Sequence, residues 1–136
     1  MTTSTRQAAR SHDDLEVFRK AYDASMRIFS LTSGFPKEEV YSLTSQIRRS
    51  SRGVCSAVVE AWRKRRYEAA LVAKLSDAEA EAAETQLWIR YAVDCGYLDR
   101  ATARSLYAEY NAVLRTLVGM AKNATTWTMR PRTPLS

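Results

Sequence analysis

No proline occurs between Pro36 and Pro131, and the whole chain of 136 residues holds only four glycines. That scarcity argues against a fold of short strands and tight turns and leaves room for long helices. It also excludes glycine-rich phosphate loops, since neither GxGxxG nor a GxxxxGK motif occurs. His12 is the single histidine, so a histidine-based metal site or a Ser–His or Cys–His dyad has nothing to build on. Cys55 and Cys95 are too few for a zinc site and are expected to be reduced and buried in helices. No apolar run approaches a membrane span and no apolar signal region follows Met1. The expectation is a soluble cytoplasmic protein with no membrane contact, no cofactor and no metal. A hydrophobic content of 46% is too high for disorder, and the length suits one domain.

What the chain does have is helical periodicity. Leu15, Phe18, Tyr22, Met26 and Phe29 recur at three- and four-residue steps and predict a helix over about 13–32. Ser33-Gly34-Phe35-Pro36 breaks it. Pro36 suits the first turn of a second helix, with Glu38 and Glu39 at its positive end. That helix carries Val40, Leu43, Ile47, Val54, Val58 and Trp62 as its core stripe, with Thr44 and Ser51 among them. Gly53 lies mid-helix, where it costs roughly 1 kcal/mol relative to alanine, so a close helix crossing is expected there. A third helix carries Leu71, Leu75, Ala78, Ala82, Thr85, Ile89 and Val93 and ends at Gly96. Asp99 caps a fourth, bearing Leu106, Tyr110, Val113, Leu117 and Met120 or Ala121. Four amphipathic helices with short connections predict an all-α, antiparallel up-down-up-down four-helix bundle over residues 13–123. Residues 1–12 and 124–136 read as flexible tails.

Charge is unevenly distributed. Residues 37–66 hold eight Lys/Arg against three acids, a net +5, and residues 68–99 hold two against seven, a net −5. At about 100° per residue, Arg48, Arg52, Arg63 and Arg66 share one sector of the second helix. Asp77, Glu81, Glu84 and Trp88 share one on the third. Counting outward from a turn near 65–67 sets Arg48 near Glu84, and Arg52 near Glu79 or Glu81. One reading is ion pairing between helices, within or between subunits, which sets register more than stability. The other is a phosphate grip, better supported at Arg63, Lys64, Arg65 and Arg66, where fewer acids lie opposite. A merely solvated face is the third. Arg100, Arg104 and the tail arginines Arg6, Arg10, Arg130 and Arg132 join the candidates for phosphate contact.

The remaining candidates are weaker. Glu60 reads as an ion-pair partner or as a structural contact, capped or between subunits. Acid pairs such as Glu81 and Glu84 could suggest a di-metal carboxylate bundle, but that site needs helical histidines, and there are none. The tyrosines and tryptophans read as core or interface aromatics. Trp88 stands apart, on the charged flank of its helix, where burial would imply a second protein surface.

Phe35-Pro36-Lys37-Glu38-Glu39, Leu43-Thr44-Ser45-Gln46-Ile47-Arg48-Arg49, Glu60, Glu84-Thr85-Gln86-Leu87-Trp88 and Ala92 through Gly96-Tyr97-Leu98 together resemble a bacterial four-helix-bundle family. Its members were first noticed as reading frames in intervening sequences of 23S rRNA genes. The similarity spans roughly residues 14–121. It implies a small cytoplasmic bundle that assembles as a homopentameric ring. The family is related to the accessory variability protein of diversity-generating retroelements, a basic pentamer that partners a reverse transcriptase and nucleic acid. No catalytic residue is established for the family. A Ser-x-Pro-x-Asn-type run is replaced here by Val54-Cys55-Ser56-Ala57-Val58-Val59, so a straighter helix is expected.

The expectation is therefore a non-enzymatic homo-oligomer, a pentamer by resemblance. It would serve as a nucleic-acid or ribonucleoprotein scaffold, with RNA or DNA as partner, or alternatively as an adaptor for another protein. Arg63, Lys64, Arg65, Arg66, Arg100 and Arg104 are the candidate nucleic-acid contacts. Arg48, Arg52, Glu60, Glu81, Glu84 and Trp88 are the candidate subunit contacts.

Overall fold

The computed structural model describes residues 9–128, all helix and connection with no strand among them. Four long helices, α1 (Glu16–Thr32), α2 (Leu43–Arg63), α3 (Glu68–Asp94) and α4 (Arg100–Lys122), precede a short α5 (Ala124–Trp127). Each long helix packs on its two neighbours in a ring, α1 on α2 and α4, and α3 on α2 and α4. The direction of each pairing is legible in its contacts. Glu60 meets Lys74 and Ser50 meets Thr85, so α3 numbers rise as α2 numbers fall. Arg48 meets Thr32, while Ser25 meets Cys55 further along, which makes α1 and α2 antiparallel as well.

The helix ends follow their residues. Gly96 has φ of 80° and follows the last turn of α3. Its N–H donates to the Val93 carbonyl, and the Tyr97 N–H donates to the Ala92 carbonyl, a Schellman closure that a side chain would strain. Asp99 caps α4, accepting the Thr102 N–H at 2.8 Å. The expected start of the second helix at Pro36 is not observed. Lys37–Glu39 forms one 3-10 turn, and α2 begins at Leu43. The Glu39 carboxylate explains the break, because it accepts both the Leu43 N–H and the Ser42 hydroxyl and so satisfies the new helix end from outside. Val40, expected in the core stripe, is left exposed.

The core is built from the anticipated stripes of α2, α3 and α4: Ile47, Val54 and Val58 against Leu71, Leu75 and Ile89, and Leu106, Tyr110, Val113 and Leu117. Phe35, Leu43 and Ala92 form a smaller cluster at the α1–α2 corner. Helix α1 departs from expectation. It turns Val17, Ala21, Ala24 and Ile28 inward, leaving Tyr22, Met26 and Phe29 exposed. Small inward residues let α1 approach closely, at the cost of leaving its larger stripe outside. The chain also packs beyond the expected bundle limit at 123. Ala124 is buried and Trp127 lies against the main core.

Candidate nucleic-acid interface and charged seam

The closest seam runs between α2 and α3, because the side chains that meet there are small. Ser50 and Thr85 are both fully buried, and their hydroxyls lie 2.8 Å apart. Gly53 faces Glu81, whose carboxylate fills the space a side chain would take. The cation that answers the acids is Arg49, not Arg48 or Arg52. It reaches Glu84 directly and Glu81 at 3.9 Å. One residue of rotation, about 100°, separates these outcomes, and it turns Arg48 toward α1. There the Arg48 Nε donates to the Thr32 hydroxyl at 2.8 Å, and its guanidinium lies 4.6 Å over the Phe29 ring. Burial pushes the Glu81 carboxyl above its ordinary pKa, with Glu84 adding to it and Arg49 opposing.

The other expected boundary residues also find partners in their own chain. Glu60 pairs with Lys74 at 3.5 Å. Trp88 is half-buried against both hydrophobic clusters, and its indole N–H donates to Glu84. Its own chain supplies the burial that a second protein surface was expected to give. Arg52 alone of the six has neither an ion pair nor a side-chain hydrogen bond among the described residues. Links absent from the sequence reading are Arg27 to Glu109, joining α1 to α4 at 2.8 Å, and buried Gln86, donating to Asn111 and the Tyr107 carbonyl. A glutamine on an otherwise alanine-rich helix face was the available signal for the second.

The candidate phosphate contacts do not form one patch. Arg63, Lys64 and Arg66 project from the α2–α3 turn, exposed and without ion pairs among the described residues. Arg65 lies flat, its guanidinium 3.6 Å over the Trp62 ring and its Nη1 donating to the Trp62 carbonyl at 2.7 Å. It braces the turn rather than facing solvent. Arg100 and Arg104 begin α4, beyond the far end of the 27-residue α3, about 40 Å from the turn. Exposed Arg10 has its N–H bound to Asp14, and Arg6, Arg130 and Arg132 lie outside the described residues.

The cysteines differ. Cys55 is half-buried beside Ser25, and burial pushes its thiol up to about 11. Cys95, expected to be buried, is exposed at the C-cap of α3. Tyr110 is fully buried with no hydrogen-bond partner for its hydroxyl among the described residues. No helix among the described residues is long and apolar enough to cross a membrane.

The fold and its charged seam define the class as a small all-α bundle of four helices. A model of the 23S rRNA-intervening sequence protein family matches residues 13–119, and the chain belongs to that family. A solved structure with the same fold is a protein of unknown function from the S23 ribosomal protein family of Bacteroides thetaiotaomicron VPI-5482. The two share 24% sequence identity with a TM-score of 0.72, covering 78% of this chain and 95% of that one. No curated protein matches closely enough to lend the chain a function.

Proposed function

We propose that the chain is a non-enzymatic, homo-oligomeric scaffold for nucleic acid acting in the cytoplasm, with the pentamer that the family resemblance implies. The observation that carries the nucleic-acid reading is the free charge at the α2–α3 turn. Arg63, Lys64 and Arg66 stand beside one another with no acid partner among the described residues, on a turn stiffened by Arg65 against Trp62. One such patch is weak, and a ring repeats it at fixed spacing, which multiplies the effective affinity.

Assembly is supported by apolar surface on two sides. Tyr22, Met26 and Phe29 are exposed on α1, and Leu87 and Tyr91 on α3. Helices α1 and α3 are not neighbours in the ring of four, so these patches sit diagonally across the bundle. A contact between two unlike patches is head-to-tail, the kind that closes into rings. The acid–arginine seam is satisfied inside one chain, so apolar surface is the better candidate for the boundary. The same surface would serve the alternative role, an adaptor for another protein.

Light scattering on the purified chain, together with retention of single-stranded RNA and DNA at low salt, tests this reading. A ring mass with salt-sensitive retention is expected. A monomer at micromolar concentration removes the ring. Absence of retention at low salt removes the nucleic-acid role and leaves the adaptor.

A further inference from the structure

The α1–α2 corner, at the end of the bundle away from Arg63 and Arg66, carries an open cavity of about 740 Å³. That is the size of a small-molecule site. Its walls carry Lys37, Arg48, Arg49 and Arg52. Arg49 is committed to Glu84 and Glu81. Arg48 is held by Thr32 and Phe29 through Nε and Nη2, and its Nη1 has no partner among the described residues. Lys37 and Arg52 are exposed and make no ion pair or side-chain hydrogen bond among them. The neighbouring acids, Glu38 and Glu39, do not line the cavity, and Glu39 is held by hydrogen bonds from Ser42, Leu43 and Tyr97. The lining therefore carries cations and no acid, and of those cations only Arg49 is in an ion pair among the described residues.

A second observation points the same way. Thr44 lines this cavity and is 6% exposed, yet its hydroxyl has no hydrogen-bond partner among the described residues. Folded chains rarely leave a buried hydroxyl unmatched. Ser45 lines the same wall, one residue further along α2. Tyr41, 96% exposed, stands at the rim with its ring unpacked.

We propose that this cavity binds a nucleotide unit by its phosphate. Arg48 and Arg52 supply guanidinium donors, and Lys37 supplies a point charge. The phenol ring of Tyr41 stacks on the base. The phosphate can come from a free nucleotide or from the end of a nucleic-acid strand, since the chemistry is the same. The site is separate from the Arg63–Arg66 turn, so it goes beyond the scaffold reading and can stand without it.

The test is a nitrogen-15 NMR titration of the full chain at low salt. The probes are adenosine monophosphate, adenosine, inorganic phosphate, and a short RNA with and without a 5′ phosphate. The monophosphate is expected to move the Tyr41, Thr44 and Ser45 amides. Adenosine should leave them in place, and inorganic phosphate should bind about tenfold more weakly. K37A and R52A alter exposed, unpaired side chains and keep the fold. Together they should weaken the monophosphate at least tenfold, while an R63A/K64A/R66A variant binds it unchanged. Movement only with the 5′-phosphorylated RNA assigns the site to strand ends and also supports it. Three outcomes overturn the proposal: unmoved amides with every phosphorylated probe, equal binding by inorganic phosphate, or undiminished binding in the K37A/R52A variant. Loss of RNA retention in the R63A/K64A/R66A variant alone bears on the scaffold reading and not on this one.

Discussion

The carboxylate of Glu81 lies across Gly53, in the space where a Cβ would be. The two helices can approach there because one residue gives up its side chain to the other. G53A adds helix propensity of about 1 kcal/mol. It displaces a flexible carboxylate from an Arg49 pair that is partly solvated, with side chains 55% and 27% exposed, and so forfeits about 0–1 kcal/mol. Thermal denaturation is expected to show a net change below about 1 kcal/mol. A larger loss would mean that Glu81 cannot leave and that the backbone must move.

Tyr110 offers a stabilising substitution. Its hydroxyl is buried without a partner among the described residues, and burial pushes the phenol above its ordinary pKa. An unmatched buried polar group costs about 1–3 kcal/mol, so Tyr110→Phe is expected to raise stability by about 1 kcal/mol. A urea titration measures it, and a destabilised variant would reveal a partner for the hydroxyl.

Acid should loosen the α1–α2 corner through Glu39. Hydrogen bonds from Ser42, Tyr97 and the Leu43 N–H hold its carboxyl below the ordinary value of 4.5. A depressed carboxylate contributes fully above that value, and the contribution is lost as pH falls through the lower folded one. Glu39→Gln is therefore expected to flatten the fall in denaturation midpoint below pH 4.5. At the other extreme, the same contact pushes Tyr97 up to about 12, so its contribution holds below pH 10 and is lost as pH rises toward 12. An unchanged acid profile in the glutamine variant would show that the corner is held by other contacts.

Thiol labelling at pH 8 should count one fast cysteine. Cys95 is exposed, while the Cys55 thiol, pushed up to about 11, presents little thiolate. A Cys95→Ser variant is expected to remain nearly unlabelled until denaturant is added. Rapid labelling of that variant would show that the α1–α2 contact at Ser25 opens readily.

The nucleic-acid end makes a quantitative demand. Each phosphate contact to a single strand contributes about 0.7 to the slope of log affinity against log salt. Removing Arg63, Lys64 and Arg66 together is expected to make that slope shallower by about 2. A uniform loss of affinity with the slope intact would place the contacts elsewhere.

The stripes of α2, α3 and α4 were legible because Leu, Ile and Val at helical spacing have only one face to bury. Helix α1 was misleading because it carries two stripes. Bulk favoured Tyr22, Met26 and Phe29, while close packing favoured Ala21, Ala24 and Ile28, and packing decided. The acidic half of the seam was legible from charge alone, yet its arginine was displaced by one position. Counting from a turn locates a residue along the axis well, but around it each residue turns through about 100°. The cationic corner was not legible at all, since it depends on Pro36 to Ser42 leaving the helical path, and that break is made by one side chain, Glu39.

Because α2 and α3 touch at Ser50, Gly53, Glu81 and Thr85, through hydroxyls, a bare backbone and one carboxylate, their hairpin works as a ruler. A residue inserted in the turn at 64–67 changes little inside it. A residue inserted between Gly53 and Arg63 would rotate the earlier part of α2 by about 100° against α3. It would lift Ser50 off Thr85 and Arg49 off Glu84 in a single stroke. The distance between the basic turn and the cationic corner is thus set by a length the seam itself enforces, and in a ring it would repeat identically in every subunit.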